Sequence, residues 1–398
     1  MSSITKNSTT PTQHVHTPPR AAPARRPPAV PWTLPLGGTR VDSLTGLRWF
    51  AAFSVFLFHA KGYVGESRAL TDLAALGYEG VPFFFVLSGF VMTWVARPTD
   101  TTPHYYWRRF ARIWPLLAVT TLATAALTKW WWHAPISKPN ILWTLTFSQA
   151  WTTDHFMTLN IVTWTLSVEA FFYLSFPLVL RILLRRSSGT LALVAAAAVA
   201  TTAATRVAAQ LLDHPAASER LLVASPLALS PMFVLGVCTG LLVRRGRRPP
   251  CGTGTAAALT GGTILLCWAW EQCPDLLHPF PFRGEIGFFD AVLMPVFALL
   301  IACAALSDVR AGQGTRSVLR SRTLVKLGEW SFAYYLCHAV VLKVFAHAGF
   351  RPGPGPLRDA AEMGAAALGA LVVAALLHEL VEQPAERRLR RLLPARRA

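Results

Sequence analysis

The chain has 398 residues, of which 53% are hydrophobic and only 15% charged, with a mean hydropathy of +0.39. Soluble globular chains are about 25% charged, so this composition excludes an ordinary soluble domain and indicates a polytopic membrane protein. The net charge of +18 falls mostly in short clusters between apolar segments, which is a signature of membrane topology and not of a nucleic-acid surface. The six cysteines (Cys238, Cys251, Cys267, Cys273, Cys303 and Cys337) are scattered without a CxxC pair. Neither a disulfide framework nor a zinc site is indicated.

Residues 1–40 are rich in Ser, Thr, Pro and Arg and lack the apolar core of a secretory signal. They are expected to form a disordered cytoplasmic tail. Membrane-length apolar segments follow near 44–62, 80–97, 110–132, 162–184, 189–211, 226–243, 254–272, 287–307, 327–347 and 362–381. The stretch 140–156 is apolar and contains Trp143 and Trp151, but it is short. It is read as a re-entrant or interfacial segment, because counting it as a span destroys the charge alternation. Trp130, Trp131 and Trp132 read as part of an interfacial aromatic belt.

With about ten spans and the N-terminus inside, the inner connections collect the arginines. These are Arg97 with Arg108, Arg109 and Arg112; Arg181, Arg185 and Arg186; Arg244, Arg245, Arg247 and Arg248; and Arg310, Arg316, Arg320 and Arg322 with Lys326. The outer connections carry Glu66, Asp72, Asp154, Asp213, Glu219, Asp275, Glu285 and Asp359. The expected fold is therefore an all-α polytopic membrane protein with about ten transmembrane helices and both termini cytoplasmic. Residues 41–386 form one membrane domain, and a basic cytoplasmic tail covers 387–398, including Arg396 and Arg397. No internal repeat is evident.

Arg48 and His59 lie within one apolar segment, eleven residues apart. At about 100° per residue this is about 20° from three full turns, so both project from nearly one helix face, roughly 16 Å apart along the axis. Ionisable groups inside a span are costly and face a protein interior or a wet cavity. Two on one stripe suggest a polar track leading inward from the membrane surface. Counted at about 1.5 Å per residue from the span ends, His59 and Glu169 fall at similar levels in the outer half, with Ser88 and His338 nearer the centre. Polar groups at such depth need partners.

Several motifs stand in order: Ser43-Leu-Thr-Gly-Leu-Arg48 followed by His59; Gly80-Val-Pro-Phe-Phe-Phe-Val-Leu-Ser88-Gly-Phe90; and Arg108-Arg109-Phe-Ala-Arg112-Ile-Trp-Pro115. Then come Trp164-Thr-Leu-Ser-Val-Glu169-Ala-Phe-Phe-Tyr173, Leu327-Gly-Glu-Trp-Ser331-Phe-Ala-Tyr-Tyr-Leu-Cys-His338, and Val381-Glu382-Gln-Pro384. Together, over about residues 43–387, they closely resemble the acyltransferase 3 family of bacterial integral-membrane O-acyltransferases. The chain departs slightly from that pattern in having Trp330 and Phe332 beside Ser331, where Tyr is the commoner neighbour.

The resemblance implies transfer of an acetyl or short acyl group from cytoplasmic acyl-CoA, a co-substrate and not a bound cofactor, to a hydroxyl. His59 is then the expected general base, since a neutral imidazole suits proton removal near pH 7. Glu169 is expected to orient or charge it, as the carboxylate does in acyl-transfer triads. Ser88, or the Gly89 backbone, is expected to polarise the thioester oxygen. Arg48, Arg109 and Arg112 would hold the phosphates of the donor through paired guanidinium donors. His338, Tyr334, Tyr335 and Ser331 are the candidates for acceptor binding. Glu382, at the inner end of the last span, is expected to pair with an arginine.

The donor arm is thus expected to extend from the inner arginines up a channel to His59. The partners implied are acyl-CoA, a hydroxyl-bearing small molecule or glycan, membrane lipid and a possible second copy of the chain, with no metal and no nucleic acid. The location implied is the bacterial cytoplasmic membrane. Ala-, Arg- and Pro-rich usage suggests a GC-rich coding sequence, where the family often decorates secondary metabolites. A macrolide sugar is the leading acceptor and a cell-envelope polysaccharide the alternative. A secondary transporter is the main rival from another class. Such proteins often show matching halves with interrupted spans, and none are seen here. A membrane scaffold leaves the arginine-to-histidine track unexplained.

Overall fold

A computed structural model describes residues 40–63, 68–97, 101–211, 223–272, 289–310, 317–350 and 356–392. Among these residues the chain is helical and contains no strand. The long helices are α1 (Asp42–Ala60), α3 (Gly80–Val95), α4 (Thr102–Trp130), α6 (Trp164–Leu183), α7 (Ser188–Leu211), α8 (Pro226–Arg244), α9 (Thr253–Gln272), α10 (Asp290–Arg310), α11 (Arg322–His347) and α12 (Pro356–Leu377). Shorter helices are α2 (Arg68–Ala75), α5 (Lys138–Leu145) and α13 (Gln383–Arg391). The tail before residue 40, the last six residues, and the charged positions Glu66, Asp213, Glu219, Asp275, Glu285 and Arg316 lie outside the described residues, as does Cys273.

Seven of the helical segments are long and apolar enough to cross a membrane: those over α3, α4, α6, α7, α8, α10 and α12. The other three predicted spans are also helical but less apolar. Helix α1 contains Arg48 and His59, α11 contains Lys326, Glu329 and Lys343, and α9 is rich in Gly, Ala and Thr. The predicted re-entrant stretch holds only the eight-residue α5 and a short turn at Gln149–Trp151. At about 1.5 Å per residue, α5 is far too short to span. Left-handed backbone at His133, Phe147 and Leu159 folds this segment back on itself. Asn160 then ties it to α11 by donating to the Leu336 carbonyl at 2.7 Å.

Lipid offers no hydrophobic drive between helices, so close approach at small residues does the packing. Helices α3 and α8 meet through a reciprocal glycine pair. A Cβ on Gly89 would land on the Phe233 carbonyl oxygen, and one on Gly236 would land on that of Val86. The order of contacts (Gly236 against Val86, Gly240 against Thr93) makes the two helices parallel. Helices α1 and α11 are also parallel, with Gly328 pressed on Thr45 at one end and His59 against His338 at the other. Gly236→Val should lower the yield of monodisperse protein and its thermal midpoint. Overpacking costs about 1–3 kcal/mol, and here the obstacle is backbone. Gly261→Val is the matched control, because a Cβ there meets nothing within 4 Å.

Arginines close one end of the bundle. Arg244 donates to the carbonyls of Thr93 and Ala96 at the end of α3, and Arg245 to those of Leu184 and Arg186 after α6. Each satisfies last-turn carbonyls that would otherwise be orphaned. At this end Asp308 of α10 caps α1, accepting from the Ser43 N–H at 2.8 Å and its hydroxyl at 2.6 Å. At the other end of α10, Arg206 of α7 is buried against Asp290 and donates to the Val223 carbonyl at 2.6 Å. The last long helix ends in a π-turn, His378–Glu382. Pro384 cannot donate to a carbonyl one turn back, and the widened turn accommodates that loss.

Candidate active site

Five helices converge on a cavity of ≈ 270 Å³. Helix α1 contributes Leu44, Thr45 and Arg48, and α4 contributes Arg109 and Arg112. Arg109 and Arg112 share a face because residues i and i+3 are neighbours on a helix. Helix α6 presents Thr165, Glu169 and Tyr173, successive i,i+4 positions on one stripe. Ser88 with Phe84 comes from α3, and Ser331 with Tyr335 from α11.

The wall is ordered by its own contacts. Tyr173 donates its hydroxyl proton to Glu169 one turn earlier. The Arg109 guanidinium lies 5.5 Å from the Tyr173 ring centroid and 5.6 Å from that of Tyr105. Its Nε is buried without a hydrogen-bond partner. Thr165 donates to the Val162 carbonyl at 2.9 Å, so the 2.9 Å contact with Tyr335 is the tyrosine donating to the threonine oxygen. Ser331 is fully buried and gives its proton to the Gly328 carbonyl at 2.7 Å. The lining residues include three guanidiniums and one carboxylate, so the cavity has the electrostatic character of an anion site.

The two histidines form a separate cluster. His338, with no exposed surface, places Nε2 3.2 Å from Nδ1 of His59. His338 Nδ1 is 3.2 Å from the Tyr334 carbonyl, and His59 Nδ1 is 2.9 Å from the Val55 carbonyl. A carbonyl can only accept, so both Nδ1 atoms must carry protons. His338 Nε2 is then a lone pair that shares the single His59 Nδ1–H with the nearer Val55 carbonyl. The same assignment leaves His59 Nε2 as a free lone pair. The protons are assigned from the hydrogen-bond network, and the result is an imidazole whose outward nitrogen is basic.

The structure corrects four expectations. Glu169 is not the partner of His59; it lines the cavity with Arg48, and the ring beside His59 is that of His338. The depth count took the start of α6 as a span end, whereas Thr165, one residue into α6, already meets Tyr335 in the middle of α11. The folded-back segment delivers Thr165 to the level of Tyr335, one turn below His338, and Glu169 lies a turn deeper. Nor does this cavity extend to the histidine pair. The cavity touches only the first two turns of α1, and neither His59 nor His338 lines it. Tyr335 stands between, its ring centroid 5.9 Å from both Phe84 and His338. Tyr334 is not in the cavity either: it is fully buried and packs on Trp49 of α1 at 5.1 Å. Finally, the ion-pair partner of Glu382 among the described residues is His378, whose Nδ1 donates to it at 2.8 Å, while its charge acts on Arg112 from further away.

Sequence reasoning brought Tyr173 into a motif without giving it a role and did not single out Thr165. Both follow Glu169's stripe at i±4, a signal that was available.

A helical membrane fold enclosing a guanidinium-lined cavity, with an imidazole pair beyond it, is the framework of an integral-membrane group-transfer protein. The acyltransferase-domain family model matches residues 41–379, and the chain belongs to this family, acyltransferase 3. The chain is 34% identical to Acyltransferase MdmB of Streptomyces mycarofaciens, over 89% of this chain and 94% of that protein. It is 27% identical to the Exopolysaccharide production protein ExoZ of Rhizobium meliloti (strain 1021), over 83% and 95% respectively. No solved structure matches significantly.

Proposed function

We propose that the chain is an acyl-CoA-dependent O-acyltransferase of the bacterial cytoplasmic membrane, with a sugar hydroxyl of a macrolide-like secondary metabolite as acceptor. The observation that carries the donor reading is the cavity in which Arg48, Arg109 and Arg112 meet. Guanidiniums bind phosphate oxygens through paired donors, and coenzyme A brings phosphates. Ten crossings with both termini cytoplasmic are supported by two features. The parallel pairs α1/α11 and α3/α8 fit strict alternation of direction. The arginine-capped ends of α3, α6 and α8 share one side, as inner ends should.

In the proposed reaction, His59 Nε2 takes the proton of the acceptor hydroxyl as its oxygen attacks the thioester carbonyl carbon. The carbon–sulfur bond then breaks, and the departing thiolate receives that proton. Ser88, on the cavity wall, contacts the donor arm on the near side of Tyr335 and not the reacting carbonyl. The thioester arm reaches His59 only if the Tyr335 ring swings aside, which breaks its hydrogen bond to Thr165. His338 acts as a positioning residue that, with the Val55 carbonyl, holds the His59 ring in its productive orientation.

The test is acyl transfer by the purified, full-length protein in detergent or nanodiscs, with radiolabelled acetyl-CoA and a glycosylated macrolide. Donor-dependent labelling of the acceptor with release of free coenzyme A is the expected result. Labelling of an envelope polysaccharide in place of the macrolide would favour the second reading, which the name of the Rhizobium relative supports. Uptake of either compound into vesicles without acylation would overturn the enzyme reading in favour of transport.

A further inference from the structure

The C-terminal helix α13 is not absorbed by the cavity. It carries Arg387, Arg388, Arg390 and Arg391 within two turns, and positive-inside charge alone would require no particular position of it. Yet it is fixed in place. Trp107 of α4 donates its indole N–H to the Leu389 carbonyl at 2.7 Å. That bond seats α13 against the stretch of α4 that carries Arg108, Arg109 and Arg112. Arg390 consequently stands within electrostatic reach of Arg108, Arg109 and Arg112, of which the last two line the cavity. Four guanidiniums crowded at one place repel one another. Two carboxylates on the same stripe temper this: Glu386, paired with Arg390, and Glu382, whose charge acts on Arg112 together with that of Glu386. The cluster is a mouth with surplus positive charge, continuous through Arg109 with a cavity of the same character.

We propose that α13 is the outer wall of the donor site. Arg390, on the helix seated against the arginines of α4, takes phosphate oxygens of the nucleotide end of the donor while the cavity takes the arm that bears the thioester. This rests on the acyl-CoA reading above and extends it to a helix beyond the motif arginines. The geometry also separates Arg390 from its neighbours in sequence. Arg388 lies two positions away, about 200° round the helix, so it carries the same charge on the opposite face.

The experiment is direct binding of coenzyme A to the full-length protein in nanodiscs, measured by calorimetry for wild type, Arg390→Ala, Arg390→Lys and Arg388→Ala. Loss of a charge-assisted contact should weaken coenzyme A binding about 10-fold or more in Arg390→Ala. Arg390→Lys should lose less, and Arg388→Ala should shift the affinity by under about 2-fold, the remainder being screened surface charge. The Michaelis constant for the acceptor should not change in Arg390→Ala, which a merely structural role would not spare. Equal weakening by Arg388→Ala and Arg390→Ala would overturn the assignment in favour of bulk charge, and so would unchanged affinity in Arg390→Ala. If wild-type protein bound no coenzyme A at all, the acyl-CoA reading itself would fail, and that outcome is distinct from the other two.

Discussion

His59→Ala is expected to lower the rate of acyl transfer by about 100- to 10,000-fold, the usual contribution of a positioned general base, without loss of the folded protein. The ring is half-buried, and its removal leaves the α1–α11 contact at Gly328 and Thr45 intact. Gel filtration and thermal midpoint should therefore stay near wild type while single-turnover transfer collapses. His338 supplies the sharper test, because its proposed part is to accept a hydrogen bond and to touch no substrate. In His338→Gln the amide oxygen can occupy the place of Nε2 and accept from His59 Nδ1–H. In His338→Ala only the Val55 carbonyl still accepts from His59 Nδ1–H, so the tautomer stays but the ring loses the partner on α11 that fixes its orientation. His338→Gln should thus retain much more activity than His338→Ala. A folded His59→Ala protein working at the wild-type rate would sink the base assignment. Equal activity of the two His338 variants would sink the positioning role of His338.

The helices were legible because membrane-length apolarity is written locally. Predicted 189–211 and 226–243 became Ser188–Leu211 and Pro226–Arg244. Helical periodicity also brought Arg109 beside Arg112 and Glu169 beside Tyr173, since i,i+3 and i,i+4 neighbours need no tertiary knowledge. What local pattern cannot give is the level at which two remote helices meet. The Glu169 depth depended on where α6 starts, and the segment before it turns through left-handed backbone at Phe147 and Leu159 that no hydropathy pattern reveals. Tyr334 and Tyr335 looked equivalent in sequence, yet successive residues are about 100° apart on a helix. Tyr335 therefore lines the cavity while Tyr334 packs on α1. A further signal passed unread: Arg206 and Asp290 are opposite charges at matching ends of two apolar spans. Their burial at 3% and 0% exposure shows them paired, as ionisable groups at such depth must be.

Arg112→Ala should raise the Michaelis constant for acyl-CoA about 10- to 150-fold, the equivalent of about 1.5–3 kcal/mol for a hydrogen bond to a charged group. The constant for the acceptor should change little. The lining sets Arg48, Arg109 and Arg112 against Glu169, and Glu382 and Glu386 act on Arg112 from outside the cavity. Arg109 is held between the rings of Tyr105 and Tyr173, and Tyr173 is in turn tied to Glu169. Arg48 and Arg112 repel one another across the space that remains, and a phosphate between them relieves that repulsion while accepting from both. Removing one guanidinium removes both a donor pair and part of the field that draws the anion in. Arg112→Lys keeps the charge but not the planar fork, so its defect should fall between wild type and alanine. Measured with saturating acceptor, the turnover number of Arg112→Ala should recover at high donor concentration, because the lost contact lies far from the reacting bond. An equal rise in the Michaelis constants for both substrates would show that Arg112 supports the fold of the site and not the binding of its donor.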